Sequence, residues 1–262
     1  MQTPDNINSK HSQNFFSAWS NPPLALLFIL LVSLSFSNIG CDSLTGSDAP
    51  DQTYEYQFDE EPGGWSALFS NYSVGREDDF ELESGYRSLP APLDTGQEGF
   101  YLSGQNLSDD LNMFLKHRIS GLQPETTYEV SLDVSFATAA PSGCVGAGGP
   151  PGEGVTVHVD ASGMEPGRIV DDSRDPGFYR LNLAEEYEGE AQSWYQATEI
   201  GDVANSRECE EGWGYEIKTV TGGTRTARTD AEGNLWLLAG TRSGFEATTS
   251  LYYTEVKVNV WE

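Results

Sequence analysis

The residues of this chain equipped for chemistry are its cysteines, two histidines past the first fifty residues, several aspartate pairs and a few aromatics in acidic, glycine-rich segments. Cys41, Cys144 and Cys209 are the only thiols. No CxxC spacing occurs, and neither His117 nor His158 lies near a cysteine in sequence, which argues against a zinc site. Catalysis of the Ser-His-Asp type needs a histidine beside a nucleophile. There is no GxSxG, and His158 lies between Val157 and Val159, opposite an apolar face, where a strand-surface role is expected. Carboxylates are too abundant for any one pair to mark a glycosidase, whose two acids must stand at a set separation. Calcium is the better match, because it takes hard oxygen ligands from loops. Asp109-Asp110, and Asp171-Asp172 with Asp175, are the places for it, unless they are solvated turns closed by Asx-type bonds. Sugar binding asks for exposed aromatics flanked by acids, Asn or Arg. Trp194-Tyr195 and Trp213, in or beside a long acidic segment, fit that need, with Asp109 and Asp110 as polar partners. The competing reading is that these aromatics only cover a disulfide and a sheet edge. Trp65, Trp236 and Trp261 sit in strand-like runs and are expected in the core.

These groups need elements to hold them, and the first is an address. Residues 24–36 read LALLFILLVSLSF, the length of a signal-peptide apolar region and short of the roughly 20 residues of a spanning helix. Ser37-Asn38-Ile39-Gly40-Cys41 follows. An apolar run closing on a small residue and then Cys resembles the lipobox of bacterial lipoproteins. Asn38 and Ile39 depart from the usual pattern, whereas Gly40 and Cys41 match it. The resemblance implies that residues 1–40 are a signal peptide and that Cys41 carries acyl chains such as palmitate on the first residue of the mature protein. It also implies export and anchoring in the cell envelope. Asp42 resembles an inner-membrane retention signal that does not extend to all phyla, so inner and outer membrane both stay open. Residues 41–53 read as a polar tether.

With Cys41 given to lipid, two cysteines remain in an exported chain, which suggests one disulfide between Cys144 and Cys209. From Tyr54 onward no long segment of helical period occurs. Short alternating runs separated by Gly, Pro, Asp and Asn turns give the all-β signal, with roughly ten to twelve strands in one domain over 54–262. The clearest run is Tyr128–Phe136, where Tyr128, Val130, Leu132, Val134 and Phe136 share one face with period two. Phe80-Glu81-Leu82-Glu83 is read as a short strand, and residues 137–154 and 184–214 as long connections. Loops of such length are often functional.

The phrase SGLQPETTYEVSLDVSFAT (120–138), the opening Phe58-Asp59-Glu60 with Gly64-Trp65, and the closing Leu251–Val258 together resemble galactose-binding-like jelly rolls. These include carbohydrate-binding modules. The resemblance implies a β-sandwich of jelly-roll type and a structural calcium formed by the first and last strands, which maps onto Asp59, Glu60 and Glu255. It implies no catalysis. Fold alone does not deliver function on such sandwiches.

Charge bounds the partners. The chain has 41 Asp+Glu against 14 Lys+Arg, a net charge of -27. Residues 1–40 hold one acid, Asp5, and one base, Lys10, so their removal leaves that charge unchanged. Nucleic acid is excluded as a partner, because a polyanion needs Lys and Arg to neutralise phosphates. Acid excess with few lysines resembles proteins of salt-loving bacteria, where salt screens self-repulsion. The expected function is therefore a non-catalytic envelope lipoprotein that binds polysaccharide. The alternatives are a structural or adhesion lipoprotein that contacts envelope proteins and, more remotely, a glycan-active hydrolase.

Overall fold

Alternation sets the centre of the molecule. In this computed structural model residues 49–59, 63–107, 110–173, 176–185 and 197–262 are described. The signal region, Cys41, Glu60, Asp109, Trp194 and Tyr195 lie outside them. The fifteen strands among the described residues are β1 (Gln52–Gln57), β2 (Ser66–Ser70), β3 (Tyr72–Ser73), β4 (Glu83–Ser88), β5 (Glu98–Gln105), β6 (Leu111–Ile119), β7 (Thr127–Thr138), β8 (Val155–Ser162), β9 (Arg168–Asp171), β10 (Phe178–Leu181), β11 (Thr198–Asp202), β12 (Glu216–Val220), β13 (Thr224–Arg228), β14 (Leu235–Ser243) and β15 (Thr248–Trp261). All belong to one compact unit, Asp48–Glu262.

Strands β7 and β15 are the long spine of a seven-stranded sheet. Tyr128, Val130, Leu132, Val134 and Phe136 are all buried, as period two requires. Leu251, Tyr253, Val256, Val258 and Val260 of β15 join them. Each free edge of this spine is covered by two strands in series. On β15 these are β1 and β5, and on β7 they are β12 and β13. Strand β4 pairs with the far side of β5. The break between β12 and β13 falls at Gly222-Gly223, both at positive φ. A Cβ on Gly223 would stand 2.4 Å from Ile200 Cγ2, so only glycine fits the close pass.

A five-stranded sheet, in the order β11-β8-β14-β6-β2, lies across the core. Val155, Val157, Val159, Leu115, Leu235, Leu237 and Ala239 face inward from it onto the residues of the first sheet. Each such side chain contributes about 1.5–3 kcal/mol on burial. The result is the expected all-β jelly-roll sandwich. On the outer face of the five-stranded sheet, Phe114 and Leu238 form a second cluster with Leu181 and Leu183. Leu181 is the last residue of β10 in a small sheet, β3-β10-β9, and Leu183 follows that strand.

Three expectations change. Phe80–Glu83 does not form a strand. Glu77–Phe80 is a 3-10 turn that ends where Glu81 turns left-handed at φ 45°. Phe80 is buried against Tyr72, 5.2 Å between ring centres, and the acids before it stay in solvent. The second long connection is interrupted by β11, by a 3-10 turn at Asn182–Glu185 and by another at Cys209–Glu211. Strand β1 begins at Gln52, opposite Val260, inside the stretch read as tether.

Candidate functional site

The disulfide forms: Cys144 and Cys209 stand 5.1 Å apart at Cα and are bonded through their sulfurs. It joins the glycine-rich connection to the segment before β12, and each side is also tied by hydrogen bonds. Ser142 N donates to Arg207 O at 2.8 Å. The Asn205 side chain donates to Thr138 O and Gly214 O. Arg207 folds back on its own loop, Nε to Gly212 O at 2.9 Å and Nη2 to Glu211 O at 2.7 Å. Glu208 and Glu211 complete a reciprocal capping box around the Cys209 turn. This pinned segment carries Trp213, which is 60% exposed. The arrangement is a rigid display of an aromatic ring.

Two residues on, Tyr215 leads into β12 and joins an aromatic row on the outer face of the seven-stranded sheet. The register runs Gly85, Tyr101, Tyr252, Ala137, Ile217 across β4, β5, β15, β7 and β12. Phe100, Leu102, Leu251 and Tyr253 point into the core, so Tyr101 and Tyr252 between them point out. Tyr101 and Tyr252 rings lie 4.8 Å apart, and Tyr215 meets Tyr252 edge-on at 5.7 Å. The Arg87 guanidinium covers Tyr101 at 3.9 Å and pairs with Glu83. Burial pushes the Tyr215 and Tyr252 phenols above their ordinary pKa, and the neighbouring phenols add to this. Tyr101 Oη and Ser103 Oγ both share hydrogen bonds with Ser250 Oγ, at 3.2 and 2.8 Å. At the β12 end Ile217 is exposed. Tyr101 itself is buried beneath that guanidinium, so the rings that this face shows to solvent are the half-buried Tyr252 and Tyr215, beside hydroxyls and Arg87, a set able to stack on a sugar ring and bond its hydroxyls. Sequence reasoning found Trp213 but missed Tyr101 and Tyr252. Their signal was the period-two alternation itself, which puts a tyrosine on the solvent side of each strand.

The acidic candidates go elsewhere. Asp110 accepts from Asn71 Nδ2 at 3.2 Å and has Arg242 Nη2 at 3.7 Å. Asn71 Oδ1 accepts from Arg180, which stands 3.8 Å from Asp171. Asp110 and Asp171 are thus brought into one network, with arginines rather than a cation site between them. Asp171 Oδ1 also accepts from Ser173, the Asx-type turn that was the alternative reading. Asp172 follows in the turn after β9. Gln57 pairs with Glu255, and Asp59 follows two residues after Gln57. No group of three or more His, Cys, Asp or Glu gathers among the described residues as a metal shell would require.

Both histidines lie on strands of the five-stranded sheet. His117 faces inward and stacks on Trp65 at 4.8 Å, with Tyr56 at 4.7 Å. His158 Nε2 shares a bond with Thr156 Oγ1 at 2.8 Å, Nδ1 faces the carbonyl of Ala197 at 3.4 Å, and Glu199 stands opposite it across the β8–β11 pair. Burial holds both imidazoles below their ordinary pKa. Trp65 is buried as expected, whereas Trp236 is half-buried on an outer face beside Lys116 and Arg118.

No family model matches the chain, and no curated protein matches it. Solved structures share its sandwich only loosely. The CBM22-1 xylan-binding domain of Paenibacillus barcinonensis Xyn10C is 10% identical over 83% of this chain and 99% of its own, with a TM-score of 0.35. The adhesin domain of Lys-gingipain from Porphyromonas gingivalis is 10% identical over 79% of this chain and 98% of its own, at 0.33. The CBM22-1-GH10 modules of a Clostridium thermocellum endo-xylanase, complexed with xylohexaose, are 14% identical over 79% of this chain, at 0.32. The chain spans 27% of that protein's length. The class of protein is defined by the chain's own sheets, an all-β sandwich with an aromatic outer face.

Proposed function

We propose that this is a non-catalytic binding module, held at the cell envelope by lipid on Cys41, that takes a polysaccharide chain on the outer face of its seven-stranded sheet. The observation that carries the reading is the pair Tyr252 and Tyr215, backed by Tyr101 beneath Arg87, with the exposed Trp213 two residues before Tyr215. Pull-down on insoluble polysaccharides and a glycan array test it. Retention on at least one neutral glycan is expected, and no binding to any of them would sink it. Mass spectrometry of the mature N-terminus tests the anchor: an acylated Cys41 is expected, and Cys41→Ala should abolish the modification.

A second reading has one observation in its favour. Trp213 and Ile217, four residues apart in sequence, are both exposed, and tryptophan is a residue type that anchors protein interfaces. It predicts capture of an envelope protein with no retention on any glycan.

A further inference from the structure

The aromatic row ends at β4 on a side chain that is not a ring. Gly85 pairs with Tyr101, and Glu83 and Arg87 lie two residues to either side of Gly85, so all four belong to one face. The positions around Arg87 are bare. A Cβ on Gly85 would meet nothing within 4 Å. A Cβ on Gly99, which pairs with Arg87, would stand 2.9 Å from the Tyr253 carbonyl oxygen, so only glycine fits there. Arg87 leans across this bare floor onto Tyr101, with its guanidinium carbon 3.9 Å from the ring centre. From the other side of Gly85, Glu83 accepts from Nη2 at 3.1 Å. The two charged side chains are 44% and 54% exposed, and an ion pair at such exposure adds little stability. What it adds is direction, because the guanidinium is fixed between a ring and a carboxylate. Glu83 is bonded at Nη2, and among the described residues the remaining donors of the fork are left for a ligand. The guanidinium is also felt at the next ring: burial and Tyr101 raise the Tyr252 phenol, and Arg87 pulls it down.

We propose, on the footing that this face takes a glycan, that Arg87 sets its specificity: Arg87 donates to two adjacent hydroxyls of a neutral pyranose, next in the chain to the unit stacked on Tyr252, and so selects glycan free of substituents there. Glu83 is the positioning residue. An aromatic ring in that place would take any sugar by its C–H face. A planar fork of donors is instead matched by two oxygens on adjacent carbons. Ester groups on those oxygens crowd the fork. A sugar carboxylate would fit the same fork, but Glu83 and the net charge of -27 oppose it.

Affinity electrophoresis of the full-length chain in detergent tests this, with one neutral glycan that retains it and the same glycan partly O-acetylated. The parent is expected to bind the unsubstituted form about tenfold more tightly, the difference that hydrogen bonds from a charged donor make. Arg87→Ala should bring the two forms level, and so should Arg87→Lys, which keeps the charge and loses the fork. Glu83→Ala should narrow the difference, whereas Glu83→Gln, which keeps an acceptor, should preserve it. Circular dichroism should be unchanged in all four, because both positions are exposed. Tyr252→Ala should weaken both forms alike. A parent that binds the two forms equally, or an Arg87→Ala variant that still discriminates between them, would overturn the role of Arg87 and leave the glycan face standing. A Tyr252→Ala variant that binds like the parent, or a parent that binds no glycan, would overturn both.

Discussion

Single residues carry the sharpest consequences. Asp160 is only 1% exposed at its side chain and meets Arg225 Nε at 2.8 Å, joining β8 to β13. Arg225→Ala would leave that carboxylate buried without its cation. Breaking such pairs costs about 3 kcal/mol or more, and urea unfolding should show it. A loss smaller than a surface substitution causes would mean that Asp160 is satisfied without Arg225. The histidines make a different prediction. Their folded pKa lies below the ordinary 6.5, with burial as the main cause. The unfolded chain therefore takes up protons first. Stability is full above pH 6.5 and falls as pH drops through and below that value. His117→Gln with His158→Gln should flatten the melting temperature between pH 7 and the carboxylate range, whatever the variants do to its absolute level. An unchanged slope would assign the acid sensitivity to other groups.

At the scale of elements, the disulfide replaces a core that its two loops lack. Closing 65 residues contributes about 4 kcal/mol on the chain-entropy model. Cys144→Ser with Cys209→Ser should lower stability by that order, and it should also weaken glycan retention, because Trp213 would lose its rigid mount. Retention unaffected by reduction would show that the hydrogen bonds of Arg207 and Asn205 suffice. The bridge was legible because only two cysteines remain once Cys41 is read as a lipidation site. Strand β7 was legible because its five inward residues alternate without a fault. What escaped was short or irregular. Strand β11 has a register shift between Glu199 and Gly201 and one large apolar residue, Ile200, so it carries no period. Strand β4 reads Glu-Ser-Gly-Tyr-Arg-Ser and is held by pairing with β5 rather than by its own pattern. The tyrosine face escaped for a further reason: alternation tells that Tyr101 and Tyr252 point outward, but only the register sets them side by side.

For the whole molecule, the charge of -27 is the dominant fact. Among the described residues the acids lie mostly on turns and outward strand faces, and their excess over Lys and Arg makes them repel one another across the surface. Screening shortens from about 30 Å at 0.01 M salt to about 3 Å at 1 M. The melting temperature should therefore climb with sodium chloride over that range, and a flat or falling curve would contradict a salt-adapted surface. An uncharged glycan is not repelled by that charge, and the ring-bearing face of the seven-stranded sheet offers it surface to stack on. That face is the central claim, and one measurement tests it most directly. Affinity electrophoresis of Trp213→Ala and Tyr252→Ala, run beside Trp236→Ala, in a gel containing a glycan that retains the parent protein, separates the two outer faces. Loss of about tenfold or more in affinity for the first two, with Trp236→Ala unchanged, is the result expected when stacked aromatics carry binding. Full retention by Trp213→Ala and Tyr252→Ala, or loss confined to Trp236→Ala, would contradict it.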